Sequence, residues 1–154
     1  MAQLEAGDKA PVFNLQDQAG TTVKLSDYKG RKLLLYFYPK ANTSGCTAQA
    51  CAVRDAMPDL SQLRVAAVGI SPDPPEAQKE FDEKHGLGFP LLSDADHKVA
   101  DAYGVWGEKS MYGRKYEGII RSSFLIDEKG RIAAAWYKVS PKETVPKAME
   151  ALGG

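Results

Sequence analysis

Two uninterrupted apolar runs, residues 33–38 and 65–70, constrain the fold more than any other feature of this chain. A strand that is apolar at every position is typical of a strand covered on both faces, as at the centre of a parallel sheet. Each run is followed by a Pro-containing loop and then by a stretch of helical character. We therefore predict two central parallel strands that are joined by a right-handed crossover through a helix.

The rest of the chain divides into short strands and helices separated by turn residues. In chain order they are a hairpin of 12–15 with 21–25, a helix at 45–57, a helix at 75–85, a strand at 91–92, a helix at 95–103, a hairpin of 119–126 with 131–137 and a last helix at 141–152. Pro58 is expected to end or kink the first helix. This order predicts one α/β domain over residues 1–154, with a central mixed sheet flanked by helices and an N-terminal β-hairpin.

Charge and hydropathy argue against two classes of partner. The 20 basic and 20 acidic residues cancel, whereas a protein that binds nucleic acid or an anionic membrane normally carries a basic excess. The longest apolar run has six residues, far fewer than the ~20 needed to cross a bilayer. The first ten residues contain no apolar segment typical of an export signal. We therefore expect a cytoplasmic protein without nucleic-acid or membrane partners.

The only two cysteines, Cys46 and Cys51, lie close together in the spacing C-x4-C. Two cysteines in a chain of this length do not form a disulfide scaffold, and in a reducing compartment any disulfide is transient. Cys46 follows a central strand and a loop and opens a predicted helix, where free N–H groups stabilise an anion. The helix dipole contributes only ~0.3–2 kcal/mol, whereas a positive charge at ~4 Å contributes about 4 kcal/mol before desolvation. A thiolate at Cys46 therefore needs a nearby cation in addition to the helix dipole. We predict that an arginine at the end of a neighbouring strand supplies it.

The residues around Cys46 resemble the active-site signature of the peroxiredoxins, P-x-x-x-T-x-x-C, here running from Pro39 through Thr43 to Cys46. Longer strings resemble the branch of the bacterioferritin comigratory protein, also called peroxiredoxin Q. They are YFYPK at 36–40, GCTAQAC at 45–51, LSD at 92–94, GVWGEK at 104–109 and RSSFLID at 121–127. One departure is Ser44, where the branch usually has Pro. Serine suits a helix N-terminus, so we expect the fold to accept it.

The resemblance implies a thioredoxin-like fold and an enzyme that reduces hydrogen peroxide and organic hydroperoxides without a metal or organic cofactor. It implies a role for each of six residues: Cys46 is the peroxidatic nucleophile, Cys51 the resolving thiol, Thr43 a hydroxyl that bonds the thiolate or the peroxide, Pro39 a shield against water, Arg121 the guanidinium over the sulfur, and Gln49 the side chain that orients this arginine. It also implies thioredoxin or a similar dithiol as reductant, and a monomer.

The cysteine spacing adds a mechanical expectation. A sulfenic acid at Cys46 condenses with a thiol to give a disulfide. On a regular helix, residues five apart have Cα atoms ~8.7 Å apart, beyond the ~7 Å limit for a disulfide. We therefore predict that residues 45–54 unwind locally during turnover.

Several alternatives stay open at this point. Cys51 could be an ordinary core residue, Gln49 a solvated helix residue, Thr43 a neighbour of the helix cap, and Arg121 a partner in a surface salt bridge. At the level of function, the rivals are a thiol–disulfide oxidoreductase, which usually has C-x-x-C spacing, and a redox-sensing or chaperone-like module without turnover. Peroxide consumption by the reduced protein separates these possibilities.

Overall fold

The two apolar runs lie in neighbouring parallel strands at the centre of a seven-stranded sheet. In a computed structural model that describes residues 3–153, the strands are β1 (Asn14–Gln16), β2 (Thr22–Lys24), β3 (Lys32–Phe37), β4 (Val65–Ser71), β5 (Leu91–Ser93), β6 (Trp106–Met111), β7 (Arg114–Ile119), β8 (Ser122–Ile126) and β9 (Ile132–Trp136). The helices are α1 (Ser44–Gln62), α2 (Pro75–His85), α3 (Lys98–Ala102) and α4 (Thr144–Ala151).

The sheet is mixed, as predicted. Its strand order is β2-β1-β5-β4-β3-β8-β9. Strand β3 pairs in parallel with β4 and antiparallel with β8, and β1 and β2 form the predicted N-terminal hairpin. Within residues 3–153, no helix is both long and apolar enough to span a bilayer.

Strand β3 is apolar from Leu33 onwards because both of its faces are covered there. Side chains alternate between the two faces of a strand. Leu33, Leu35 and Phe37 pack into a cluster that includes residues of α3. On the other face, Leu34 packs with residues of α1 and α4, and Tyr36 packs with residues of α1 and α2.

The prediction that Pro58 ends or kinks the first helix was wrong about its end, because α1 continues to Gln62. A proline removes one helical hydrogen bond, but the residues beyond it are needed in the core. Leu60 is fully buried and packs with Leu34 and Leu125. Burying a leucine contributes ~1.5–3 kcal/mol, which offsets the lost hydrogen bond.

A second hairpin was missed. Strands β6 and β7 pair antiparallel as a separate two-stranded sheet, so Ile119 ends β7 and does not begin the strand predicted at 119–126. The sequence signal was weak because most residues of this hairpin are polar. Its turn residues Tyr112 and Gly113 have φ values of 53° and 76°, as the two-residue hairpin turn with left-handed backbone requires. Helices α3 and α4 both begin three residues later than predicted.

Candidate active site

Cys46 lies in the first turn of α1 and is 1% exposed. The helix is preceded by Thr43 in an extended conformation, and its first intrahelical bond runs from the Thr47 amide to the Thr43 carbonyl at 2.8 Å. The amides before Thr47 therefore have no helical acceptor and leave partial positive charge at this end. Both cysteines are free thiols, with Cys51 half-buried further along the same helix.

Arg121 supplies the cation that the charge argument required. Its Nη2 lies 3.3 Å from Cys46 Sγ. The fold causes this proximity: Ser122 pairs with Phe37 at the end of β3, so the preceding residue reaches the loop that leads into α1. The backbone of Arg121 is fixed as well, since its carbonyl accepts the Val139 amide at 2.9 Å.

Gln49 is fully buried one turn along α1, which rules out the alternative of a solvated helix residue. Its Oε1 accepts a hydrogen bond from Arg121 Nη1. Its Nε2 donates to Thr144 Oγ1 at 2.8 Å, and that hydroxyl donates to Ser140 O at 3.2 Å. Arg121 is therefore fixed by a chain of hydrogen bonds that runs through Gln49 and Thr144. Its guanidinium is not an isolated surface group. Sequence reasoning missed Thr144, because nothing local distinguishes it from an ordinary helix residue.

Thr43 and Pro39 occupy the loop before the helix. The Thr43 hydroxyl donates to Lys40 O at 2.9 Å. With its proton used there, this hydroxyl can accept a hydrogen bond from a peroxide but cannot donate one to the sulfur. Pro39 is half-buried at the start of the loop, and its shielding of Cys46 stays a prediction.

Gly45 gives the guanidinium room to approach. A Cβ atom at this position would lie 3.3 Å from Arg121 Nη2 and 3.6 Å from Pro141 Cγ. The first distance is tighter than most real contacts of a Cβ atom, so any side chain here would press on Arg121. The string GCTAQAC at 45–51 included this glycine, but the sequence did not reveal what it touches.

The missed hairpin brings a second cation towards the site. Lys109, from β6, donates Nζ to Ile119 O at 2.7 Å. Burial lowers the pKa of Lys109, the nearby charge of Arg121 lowers it further, and Cys46 acts in the opposite direction. Arg121, whose Nη2 lies 3.3 Å from Cys46 Sγ, is the cation in direct contact with the sulfur.

Tyr36, on β3, lies beneath the cysteine-bearing helix. It is fully buried and packs in one cluster with Cys46, Ala50 and Val53, against which Cys51 also packs. Its hydroxyl has no hydrogen-bond partner among residues 3–153. Burial raises the pKa of Tyr36 well above its ordinary value, and the neighbouring Tyr38 and Cys46 add to this effect. The hydroxyl is therefore a neutral, unpaired polar group in an apolar cluster.

Comparison with known proteins identifies the family. Residues 6–135 match the AhpC/TSA family. The chain is 48% identical to peroxiredoxin Bcp of Bacillus subtilis, over 97% of this chain and 95% of that protein. It is 54% identical to peroxiredoxin Bcp of Escherichia coli, over 86% of this chain and 85% of that protein.

Two solved structures are similar over almost the whole chain. A mutant of PrxQ from Xylella fastidiosa superposes with a TM-score of 0.92 at 32% identity, covering 99% of this chain and 98% of the other. The bacterioferritin comigratory protein of Xanthomonas campestris, described for alkyl peroxide reduction, superposes with a TM-score of 0.89 at 32% identity, covering 97% and 98%. These similarities confirm the predicted thioredoxin-like fold. The chain therefore belongs to the AhpC/TSA family and, within it, to the Bcp and PrxQ peroxiredoxins.

Proposed function

We propose that this peroxiredoxin reduces hydrogen peroxide and organic hydroperoxides at Cys46, resolves the product with Cys51, and is regenerated by thioredoxin or a similar dithiol. The observation that carries the proposal is the 3.3 Å contact between Arg121 Nη2 and a buried Cys46 Sγ at a helix N-terminus. The alkyl peroxide reduction described for the Xanthomonas relative supports the same substrate class. We further propose that the enzyme acts as a cytoplasmic monomer.

In the first step, the Cys46 thiolate attacks one peroxide oxygen and the O–O bond breaks. The sulfur becomes a sulfenic acid, and the other oxygen leaves as hydroxide or alkoxide and takes up a proton to give water or an alcohol. Arg121 stabilises this developing negative charge because its N–H groups are already aimed at the reacting sulfur. The Thr43 hydroxyl, whose own proton is donated to Lys40 O, accepts the O–H of the incoming peroxide.

In the second step, the Cys51 thiol displaces the sulfenic oxygen as water and forms a disulfide with Cys46. Both residues lie on α1, and regular helix geometry keeps their Cα atoms ~8.7 Å apart. Residues 45–54 must therefore unwind before the sulfurs can meet. A dithiol donor then reduces the disulfide, and the helix re-forms.

Mass spectrometry of the reduced protein after one equivalent of hydrogen peroxide tests this proposal. We expect the intact mass to fall by two hydrogens, with Cys46 and Cys51 in one cross-linked peptide, and amide exchange to accelerate over residues 45–54. Persistence of a sulfenic acid beside a free Cys51, or a disulfide between two chains, would contradict the assigned resolution. Failure to consume the peroxide would contradict the peroxidase itself and favour a module without turnover.

Gly45→Ala should separate activity from stability. The added Cβ would press on Arg121 Nη2, so we expect the rate constant with peroxide to fall about tenfold, as small displacements of catalytic groups do. Alanine favours a helix by ~0.5–1 kcal/mol over glycine, so the melting temperature should stay the same or rise. Stopped-flow kinetics and thermal unfolding measure the two effects. Ser44→Ala, an exposed change in the same turn, should leave the rate constant unchanged.

Tyr36→Phe should stabilise the protein and slow resolution. Removing a buried hydroxyl that lacks a partner avoids a desolvation cost of ~1–3 kcal/mol. Unwinding of residues 45–54 would uncover that hydroxyl, so its removal favours the closed helix. We expect a higher melting temperature, disulfide formation slowed about fivefold or more, and more sulfinic acid at excess peroxide.

The neighbouring Tyr38→Phe is the matched control for this prediction. Tyr38 faces the same cluster, but its hydroxyl donates to Gln78 Oε1. Its removal leaves that amide oxygen unsatisfied, so we expect a lower melting temperature. Equal effects of the two substitutions would show that the missing partner of Tyr36 does not matter.

A further inference from the structure

The loop at residues 39–43 is held by a residue from outside the signature. The Ala41 amide donates to Asp73 Oδ2 at 2.7 Å, and Ala41 is buried. The next residue, Asn42, has a φ of 63°, a left-handed conformation that costs free energy for any residue with a side chain. The Asp73 contact therefore fixes the loop next to its least favourable backbone position.

Asp73 is itself fixed by a buried network that reaches back to the start of the loop. The Ser71 hydroxyl donates to the same Oδ2 at 2.7 Å. Gln78 Nε2 donates to Ser71 Oγ at 2.8 Å and to Leu92 O at 3.0 Å. Gln78 Oε1 accepts the hydroxyl of Tyr38, the residue just before Pro39. The network therefore forms hydrogen bonds with Tyr38 and with Ala41, on the two sides of Pro39 and Lys40.

The position of Ala41 decides where the reacting groups lie. Thr43 follows two residues later, and its hydroxyl is oriented by Lys40 O, on the other side of Ala41. A loop released from Asp73 would keep Cys46 in its helix beside Arg121, but it would lose the fixed orientation of the Thr43 hydroxyl. Such a change would impair the positioning of the peroxide, and the reactivity of the Cys46 sulfur would stay the same.

We propose that Asp73 is a positioning residue for peroxide reduction, acting through the Ala41 amide. This inference rests on the proposed function of Cys46. The carboxylate makes no contact with Cys46 and transfers no proton in the reaction. Its contribution is to hold the loop in the one geometry in which a peroxide meets both Thr43 and the sulfur.

Two rate constants measured on the same variants test the proposal. For Asp73→Ala, we expect the stopped-flow rate constant with hydrogen peroxide to fall about 10- to 100-fold. Alkylation of Cys46 by iodoacetamide, which does not use the loop, should stay within about threefold of wild type. Asp73→Asn keeps an acceptor oxygen for both donors and should recover most of the peroxide rate. Glu76→Ala, an exposed carboxylate nearby on α2, should change neither rate.

Three results would overturn the proposal: an unchanged peroxide rate in Asp73→Ala, an equal fall in both rate constants, or no recovery in Asp73→Asn. A wild-type protein that does not react with peroxide would instead refute the proposed function. If Asp73→Ala does not fold, hydrogen exchange of the wild-type Ala41 amide decides the matter. Slow exchange supports the anchor, and exchange as fast as in an open loop excludes it.

Discussion

Cys46→Ser is expected to abolish rapid peroxide consumption. A serine hydroxyl is not ionised at neutral pH and is a far weaker nucleophile than a thiolate. We expect the stopped-flow rate constant to fall by a factor on the order of 10⁴ or more, as when other enzymes lose their nucleophile. Cys46 is 1% exposed, but serine is nearly isosteric with cysteine. The fold should therefore survive, and circular dichroism should be unchanged.

Cys51→Ser is the matched control for this prediction. Cys51 lies on the same helix, but within residues 3–153 Arg121 forms its hydrogen bond with Cys46 and none with Cys51. The first equivalent of peroxide should be consumed at the wild-type rate, and a sulfenic acid should then persist on Cys46. Steady-state turnover with thioredoxin should be lost. Rapid consumption by Cys46→Ser, or its loss in Cys51→Ser, would reverse the assigned roles.

Arg121→Met is expected to have the second largest effect. Methionine occupies much of the same volume but removes every N–H group from the site. Loss of one preorganised donor typically lowers a rate constant ~10²–10³-fold, and we expect a fall of this size in the reaction with hydrogen peroxide. The partner Gln49 Oε1 would lose its donor in the same variant, so some loss of thermal stability is expected as well.

Two further substitutions separate charge from geometry at Arg121. Arg121→Lys keeps the charge, but a single ammonium cannot bond Cys46 Sγ and Gln49 Oε1 in the same forked arrangement. We expect it to recover only part of the lost rate. Arg114→Met removes an arginine from the exposed face of β7 and should be neutral. Full activity in Arg121→Met would mean that this guanidinium does not stabilise the reacting charge.

The core of the fold was predictable because it follows from local patterns. Six successive apolar residues at 33–38 require cover on both faces, and the structure provides it through alternate packing of β3. The hairpin of β6 and β7 was not predictable in this way, since it pairs only with itself and is mostly polar. The prediction that the first helix ends at Pro58 was wrong because it used only the local effect of proline. It did not take into account that Leu60 packs in the core.

In the candidate active site, too, local sequence patterns predicted some features and not others. Placement of Cys46 followed from a strand, a loop and a helix start, and the need for a cation followed from charge arithmetic. The choice of Arg121 depended on family resemblance, because contacts over 75 positions in the chain leave no local signal. Thr144, Tyr36 and Asp73 were missed for the same reason: their importance lies in which polar atoms meet, or fail to meet, in the folded protein.

The location of both sulfurs on α1 has a consequence for electron transfer. A Cys46–Cys51 disulfide cannot form while the helix over residues 45–54 is intact. When such a disulfide is reduced, the segment can refold, and its free energy of folding favours the reduced form. For a two-electron couple, ~1.4 kcal/mol corresponds to about 30 mV. A segment that folds with ~3 kcal/mol would therefore raise the reduction potential by about 60 mV. In the proposed reaction cycle, refolding of this helix segment would therefore make the oxidised protein a stronger electron acceptor.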